Sequence, residues 1–385
     1  MFKRILLIVL DSVGIGEADD AAKFDDVGSN TFGNTVKENE KLKNFEKMGF
    51  YNLLGEDNDT DFIYTKAKEK SNGKDTLTGH LEMMGIVTHE PFKTFLNGFP
   101  KELIDEIEKI SNRKVIGNCV ASGTEIIKKL GEQQIKTGEL IVYTSADSVL
   151  QIAAHEDIIP LEELYDICSK VRKITLKDEW KVGRIIARPF IGENKDDFTR
   201  TPNRHDYALD PVKDTVLDNL KNNNYDVITI GKISDIFNNN GITESIKTKD
   251  NLDGINKIID VLKTDYNGLC FANLNDYDSK YGHRRDKKGY FNALKEFDDK
   301  LPEILNYLKF DDLMIITADH GNDPTYKGTD HTREDVPVAI FSKKINKTGK
   351  IDDLDSFADI GATISDNFNL KIIYGESILD KIKDI

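Results

Sequence analysis

Short apolar runs that end in polar residues most constrain the fold of this chain. Several are rich in β-branched residues and are followed by residues with helical spacing. Continuous apolar strands that alternate with helices are typical of a mostly parallel sheet covered by helices on both faces. The runs predict an α/β protein with a doubly wound, mostly parallel sheet, its strands lying within residues 4–12, 139–147, 225–232, 268–276, 311–319 and 335–342.

Two later segments predict helices. Residues 289–310 carry apolar side chains at helical spacing, with a break or restart predicted at Leu301-Pro302 because proline interrupts helices. Residues 355–368 predict a further helix, for which Asp355 or Ser356 is the expected N-cap. Each follows a predicted strand, as the alternation requires.

The chain has more residues than one hydrophobic core usually needs. Its 385 residues lead us to expect two domains. Between about Thr88 and Pro211 the sequence becomes rich in turn residues and short strands, which indicates an insert that leaves and re-enters one core. We expect a core domain of residues 1–90 and 212–385 and a smaller inserted α/β cap domain of residues 91–211.

The net charge of the chain limits its partners. There are 53 basic and 68 acidic residues, a formal charge of -15. Nucleic acids and anionic membranes require a basic face, so neither is an expected partner, whereas a small phosphorylated molecule needs only a local group of cations. Three separated cysteines, a short N-terminal apolar run and no run of about 18 apolar residues lead us to expect a cytoplasmic protein.

Carboxylates and imidazoles gather where predicted strands end. Ligands of open α/β sheets bind beyond the carboxyl ends of the strands. Three aspartates and three histidines there could supply two neighbouring divalent ions with about three ligands each, leaving positions open for a phosphate. The residues of this predicted metal centre are Asp11, Asp278, His283, Asp319, His320 and His331.

Simpler roles exist for single members of this set. An aspartate at a strand end usually caps the following helix, which would account for Asp11 alone. The segment from residue 276 resembles the start of an EF-hand loop, but Tyr281 stands at its obligatory glycine and Lys287 at its final glutamate. The metal prediction therefore depends on several strand ends converging.

A glycine-bounded turn at residues 71–85, SNGKDTLTGHLEMMG, offers a hydroxyl. A phosphate-binding P-loop is excluded because Asp75 follows the lysine and Lys68 stands where a glycine is needed. Thr76 lies at an expected helix start, where it could serve only as a cap. Divalent ions nearby would lower the pKa of its hydroxyl and make Thr76 a candidate nucleophile.

Long motifs along the chain resemble one enzyme family. They are VLDSVGIGEA, GKDTLTGH, ASGTE, YTSADSVLQIAAHE, TRTPNRHDYALDP, IGKISDI, GHRRD and TADHGNDPTYKGTDHTRE. Together they closely resemble the phosphopentomutases of the alkaline phosphatase superfamily, over nearly the whole chain. The resemblance implies an alkaline-phosphatase-like core with an inserted cap. It also implies interconversion of ribose 1-phosphate, or deoxyribose 1-phosphate, and the 5-phosphate, with two Mn²⁺ ions.

The resemblance also implies roles by motif position. Thr76 would carry a phosphoryl group, with a sugar bisphosphate as the activator that phosphorylates it. The implied ligands of one metal are Asp11, Asp319 and His320, and those of the other are Asp278, His283 and His331. The implied substrate-binding residues are Ser145 and Asp147 for the sugar hydroxyls, Arg184 and Arg200 for phosphate or sugar, and Lys232 from the core.

Four residues depart from the family pattern. Leu81 stands where a tryptophan is common, and Asp19 replaces a proline. Asn30 and Asn34 replace an aspartate and a histidine. None of them is an expected metal ligand, so the departures concern local packing and hydrogen bonding around the site.

Two other functions are compatible with part of this pattern. A metal-dependent phosphomonoesterase of the same superfamily would pass the phosphoryl group to water, and the insert motifs TSADSVLQIAAHE and TRTPNRHDY favour the mutase over it. A metal- or nucleotide-binding module without catalysis would have no use for Thr76. Ribose and deoxyribose phosphates both remain candidate substrates.

Overall fold

The computed structural model describes residues 1–90, 92–145 and 148–383. The strands are β1 (Arg4–Leu10), β2 (Ile63–Ala67), β3 (Val115–Val120), β4 (Leu140–Thr144), β5 (Val149–His155), β6 (Arg184–Ile191), β7 (Thr199–Arg200), β8 (His205–Ala208), β9 (Asp226–Ile230), β10 (Glu244–Ile246), β11 (Gly268–Leu274), β12 (Asp312–Thr317), β13 (Val336–Phe341) and β14 (Gly349–Lys350).

Helices connect most of these strands. They are α1 (Thr31–Val36), α2 (Lys43–Lys47), α3 (Phe50–Leu53), α4 (Thr76–Met83), α5 (Lys101–Ser111), α6 (Gly123–Thr137), α7 (Leu161–Ile174), α8 (Val216–Asn222), α9 (Ile233–Ile236), α10 (Asn251–Lys263), α11 (Lys287–Tyr307), α12 (Ala358–Asn367) and α13 (Leu379–Ile382). Short 3₁₀ turns lie at Ala21–Phe24 and Asp178–Trp180, and a π-helical turn at Tyr277–Gly282. Within the described residues, no helix combines the length and apolar character that a membrane crossing needs.

The chain divides into two compact units. One consists of Met1–Pro91 and Asp210–Ile385, and the other, the inserted unit, of Phe92–Leu209. Each unit contains its own sheet.

The sheet of the first unit is mostly parallel. Its strand order is β10-β9-β11-β1-β12-β13-β2-β14, and β13 alone runs antiparallel to its neighbours among the described pairings. Every residue of β1, β11 and β12 is buried, as expected where helices cover both faces of a parallel sheet. The predicted α/β fold class is therefore confirmed.

The register of the central strands aligns their carboxyl ends. Leu10 of β1 pairs with Leu274 of β11, and Val9 of β1 pairs with Thr317 of β12. The three strands are neighbours and end at nearly the same level. The residues that follow them therefore meet at one edge of the sheet.

The inserted unit is built on a mixed sheet of order β3-β4-β5-β6-β7, with β8 paired to β6. Alternate residues of β4 enter different hydrophobic clusters. Leu140 and Val142 join a cluster with residues of α5 and α7, while Ile141 and Tyr143 join a second cluster with residues of α6. The period-two alternation of a strand thus covers both faces of this sheet.

The predicted break at Leu301-Pro302 is wrong. Helix α11 continues from Lys287 to Tyr307 with Pro302 inside it. The buried side chains of Leu301 and Ile304 continue the apolar face across the proline, and this packing holds the helix together. In the last long helix, Ser356 Oγ accepts a hydrogen bond from the Ala358 N–H at 3.1 Å, although the N-cap position itself is Phe357.

Candidate active site

The structure brings the expected metal ligands together at the carboxyl edge of the central strands. Asp11 directly follows β1, Asp278 lies in the π-helical turn after β11, and Asp319 and His320 follow β12. His331 lies on the loop between β12 and β13. All five are almost entirely buried, and His283 is partly buried.

Two overlapping groups of ligand atoms lie close enough to hold metal ions. Atoms of Asp278, His283 and His331 lie within 4.8 Å of one another, as do atoms of Asp11, Asp278 and His320. Asp319 joins the second group, because its Oδ2 lies 3.4 Å from His320 Nε2. The six residues therefore form a single cluster that Asp278 bridges.

The hydrogen bonding of two buried carboxylates indicates whether the site suits a cation. Asp11 Oδ2 accepts hydrogen bonds from the side-chain amides of Asn273 and Asn275, both at 2.9 Å, and Asp319 Oδ1 accepts one from the Ser12 N–H at 3.0 Å. Asp11 Oδ1 and Asp319 Oδ2 are buried and accept no hydrogen bond from the described residues. Burying such an oxygen is costly unless a cation compensates it, so the donor set fits a divalent ion.

The histidine tautomers direct lone pairs into the cluster. His320 Nδ1–H donates to the Gly321 carbonyl at 3.0 Å, and His283 Nδ1–H donates to the Thr329 carbonyl at 2.7 Å. A carbonyl only accepts, so Nε2 of each ring is left to bind a metal, as in most metal-ligating histidines. His331 Nε2 lies 3.1 Å from His283 Nε2.

Charge within the cluster favours a bound cation. Burial opposes a charge on His320, but Asp319 and Asp11 outweigh it and raise the imidazole pKa well above its ordinary value. Burial also opposes ionisation of Asp278, yet His283 and His331 hold its pKa well below the ordinary value. Asp278 thus stays ionised, and the carboxylates that raise the His320 pKa would likewise stabilise a bound cation.

Thr76 lies beside this cluster. It is the first residue of α4, and the side chain of the N-cap residue Asp75 accepts hydrogen bonds from Leu77 N and Thr78 N. Thr76 Oγ1 lies 3.1 Å from His320 Nε2 and is partly buried. As the first residue of a helix, Thr76 lies at the positive end of the helix dipole, which favours negative charge there.

Arg333, which the sequence reasoning missed, holds the segment that leads to Thr76. Its guanidinium donates to the carbonyls of Ser71 and Gly73 and pairs with Glu69. The side chain is 3% exposed, so these bonds are shielded from water. An arginine in a run of acidic residues gives no sequence signal for this role.

Two further side chains around the expected ligands were also missed. His80 Nδ1–H donates to the Thr76 carbonyl at 2.8 Å and lies 3.2 Å from Asp319 Oδ2. Asn322 donates to Asp278 Oδ1 at 2.7 Å. The spacing of His80, four residues after Thr76 on one helix face, is the signal that could have found it.

The asparagines that depart from the family pattern both contact one buried carboxylate. Asp323 Oδ2 accepts a hydrogen bond from the Asn30 N–H at 3.0 Å and from the Asn34 side-chain amide at 2.6 Å. Leu81 is buried, and Asp19 is an exposed partner of a lysine. Of the two asparagines, only Asn34 holds Asp323 through its side chain, while the Asn30 side chain accepts a hydrogen bond from the Gly33 N–H at 2.9 Å.

The expected substrate-binding residues lie in both units. Ser145 follows β4, Arg200 is exposed on β7, and Arg184 Nη1 lies 3.7 Å from an Asp206 oxygen. Asp147 lies outside the described residues.

Lys232 precedes α9 in the first unit, and its charge reaches the metal cluster. Burial opposes ionisation of Asp11, but the contact with His320 and the charge of Lys232 help to lower the pKa of this carboxyl. The charge of Lys232 therefore favours the ionised form of Asp11, which is an expected metal ligand.

Comparisons with known proteins extend over nearly the whole chain. The family model of the metalloenzyme superfamily matches residues 3–372. The solved PH0037 protein of Pyrococcus horikoshii is 15% identical with a TM-score of 0.50, covering 97% of this chain and 100% of that chain. This likeness shows a shared fold.

Two other solved structures are more distant. A Leishmania mexicana phosphoglycerate mutase, determined at low cobalt concentration, is 13% identical with a TM-score of 0.47, covering 100% of this chain and 97% of that chain. The alkaline phosphatase of the Antarctic bacterium TAB5 is 13% identical with a TM-score of 0.36, covering 96% and 98%.

Proposed function

The chain belongs to the metalloenzyme superfamily, and we propose that it is a phosphopentomutase. It would interconvert ribose 1-phosphate, or 2-deoxyribose 1-phosphate, and the corresponding 5-phosphate. The observation that carries this proposal is the position of Thr76, whose Oγ1 lies 3.1 Å from His320 Nε2 at the edge of a buried ligand cluster. The long motifs of the core and the insert support the choice of a mutase.

The two expected Mn²⁺ ions would be held by the six clustered residues. One set is Asp11, Asp319 and His320, and the other is Asp278, His283 and His331. When bound, the ions would neutralise the charge of the phosphoryl group and lower the pKa of the threonine hydroxyl.

Thr76 is the proposed carrier of the phosphoryl group. Its Oγ–P bond breaks as a bond forms between phosphorus and the free hydroxyl oxygen of the pentose phosphate, which gives a pentose bisphosphate. The other phosphoryl group of the bisphosphate is then transferred to Thr76 as its bond to the sugar oxygen breaks, and that oxygen takes up the proton that the accepting hydroxyl released. Phosphoryl transfer depends mainly on positioning and charge, so the hydrogen bonds of Arg333 and His80 to this segment matter because they fix the nucleophile.

The resemblance supplies the proposed substrate-binding residues. Ser145 and Asp147 are the proposed partners of the sugar hydroxyls. Arg184, Arg200 and Lys232 are the proposed partners of its anionic groups, which suits guanidinium and ammonium side chains.

Intact mass measured before and after exposure to a sugar bisphosphate tests the nucleophile. The wild type should gain one phosphoryl group that maps to Thr76, Thr76→Ala should gain none, and Thr76→Ser, which keeps the hydroxyl, is the matched control. Mutase activity that survives in Thr76→Ala would refute the assignment.

Incubation with Mn²⁺ and ribose 5-phosphate, followed by phosphorus NMR, tests the reaction. Ribose 1-phosphate is the expected product. Rapid release of inorganic phosphate without ribose 1-phosphate would instead identify a phosphomonoesterase.

A further inference from the structure

The chain turns where β1 ends, at the expected metal ligand Asp11. Val13 N–H donates to the Leu10 carbonyl at 3.0 Å, so residues 10–13 form a hydrogen-bonded β-turn. Ser12, the third residue of this turn, has a φ of 73°, whereas the φ of Asp11 is not positive. A positive φ at the third residue alone is typical of a type II turn, in which that residue is usually glycine or asparagine.

Serine is an unfavourable residue for this position. Among the described non-glycine residues with a positive φ, all but Ser12, Glu38 and Arg285 are asparagine or aspartate, which tolerate this conformation. Of those three, only Ser12 is buried. A strained backbone of this kind persists where surrounding contacts hold it, and such residues concentrate at functional sites.

The strained form of the turn determines where the Ser12 N–H points. Types I and II differ by about half a rotation of the peptide between the second and third residues, and this peptide carries the Ser12 N–H. In the observed form the N–H donates to Asp319 Oδ1 at 3.0 Å. The unstrained type I form would turn the N–H away and leave a buried carboxylate oxygen without this donor.

This hydrogen bond affects two expected metal ligands at once. It occupies Asp319 Oδ1 and leaves Oδ2 open, while Asp11, the second residue of the turn, has Oδ1 open. Both open oxygens lie near one ring nitrogen, His320 Nε2, with Asp11 Oδ1 at 3.5 Å and Asp319 Oδ2 at 3.4 Å. The turn therefore sets the relative position of two carboxylates that would bind the same ion.

A tyrosine from a separate helix holds the serine in this turn. Ser12 Oγ lies 3.0 Å from the hydroxyl of Tyr290, which is near the start of α11. Both side chains are fully buried. A buried hydroxyl that loses its partner is costly, so the bond between them opposes relaxation of the turn.

We propose that Ser12 and Tyr290 are positioning residues of the metal cluster. Tyr290 holds the Ser12 side chain, the turn keeps its strained form as a result, and the Ser12 N–H fixes Asp319 beside Asp11. This inference rests on the part of the proposed function that assigns divalent ions to the cluster, and it does not depend on the mutase reaction.

Binding of Mn²⁺ by the full-length protein tests the proposal. The protein is dialysed against a chelator and then against buffer, and its affinity for Mn²⁺ is measured by competition with a chelating dye, without substrate. Ser12→Ala and Tyr290→Phe each remove one hydroxyl, and a double variant removes both. Ser12→Gly also lacks the hydroxyl, but it supplies the residue that a type II turn favours.

The matched control is Tyr51→Phe. Tyr51 is buried in the same unit, and its Oη accepts a hydrogen bond from the Leu42 N–H at 3.1 Å. This variant therefore loses a buried, hydrogen-bonded hydroxyl that does not contact the turn at residues 10–13, and it should bind Mn²⁺ like the wild type.

Ser12→Ala and Tyr290→Phe should each bind Mn²⁺ about 10- to 100-fold more weakly than the wild type. The double variant should be no weaker than either single variant, because all three lose the same hydrogen bond. Ser12→Gly should keep an affinity close to that of the wild type, since glycine adopts the turn without a partner to hold it.

Thermal unfolding of the metal-free proteins separates positioning from folding. Tyr290→Phe and Tyr51→Phe should both lower the melting temperature, because each loses a buried hydrogen bond. A residue with only a structural role would lower the melting temperature and leave the affinity for Mn²⁺ unchanged.

Wild-type affinity in both Ser12→Ala and Tyr290→Phe would overturn the inference, and in a protein that makes ribose 1-phosphate it would do so while the proposed function stands. A Ser12→Gly variant as weak as Ser12→Ala, or no Mn²⁺ binding by the wild type, would also overturn it. The expected pattern of affinities in a protein that makes no ribose 1-phosphate would support the inference while the proposed mutase fails.

Discussion

Replacing Arg285 with alanine should weaken binding of a divalent ion by Asp278, His283 and His331 about 10- to 100-fold. The guanidinium of Arg285 holds the loop that carries His331. Its Nε donates to the Gly328 carbonyl at 2.6 Å and its Nη2 to the Asp330 carbonyl at 2.7 Å. The loop therefore loses two charged hydrogen bonds in the variant.

The same side chain also orients a ligand carboxylate. Arg285 Nη1 donates to Asn322 Oδ1 at 2.5 Å, and the Asn322 amide donates to Asp278 Oδ1 at 2.7 Å. Each charged hydrogen bond contributes about 1.5–3 kcal/mol when shielded, and less here because Arg285 is partly exposed. A total loss of about 1.4–2.8 kcal/mol corresponds to the 10- to 100-fold change.

Titration with Mn²⁺ against a competing chelator measures this affinity. Loss of a positive charge near the site would by itself strengthen binding of a cation. The control variant must therefore also lose one positive charge. Arg284→Ala removes the neighbouring, exposed arginine and should not weaken binding. Arg285→Lys should resemble Arg285→Ala, because an ammonium cannot form the same fork of hydrogen bonds. Equal affinities of Arg285→Ala and Arg284→Ala would refute the reasoning.

Three predictions concern stability and can be checked by chemical unfolding. Arg4→Met should lower the free energy of unfolding by about 3–5 kcal/mol, because it leaves Asp312 buried without its partner at 2.5 Å. Lys3→Met, which removes an exposed ion pair, should lower it by less than about 1 kcal/mol. Burial raises the pKa of Asp335 to about 6. The stabilising contribution of the protonated carboxyl is therefore fully present below about pH 4 and is lost as the pH rises through about 6. Asp335→Asn should thus be up to about 3 kcal/mol more stable than wild type at pH 7 and no more stable at pH 4. Pro302→Ala should raise stability by about 1–3 kcal/mol because it restores a helix donor inside α11; a decrease would contradict this.

The strands and their polar ends could be predicted because both depend on local pattern. The runs at 268–276 and 311–319 contain strands β11 and β12. The carboxyl ends of parallel neighbours meet at one edge, so Asp11, Asp278 and Asp319 could be expected to lie together. The helix through Pro302 could not be predicted, because packing of its buried face overrides the local cost of proline.

The sequence by itself determined the fold class and predicted the six residues that gather at the carboxyl edge of the sheet, since residue type, spacing and strand periodicity are local properties of the chain. Only the tertiary structure decided that Arg333 holds the Thr76 segment and that Arg285 holds the loop that carries His331. Both contacts are hydrogen bonds between residues distant in sequence. Their partners are set by how the elements pack, and no local pattern records it.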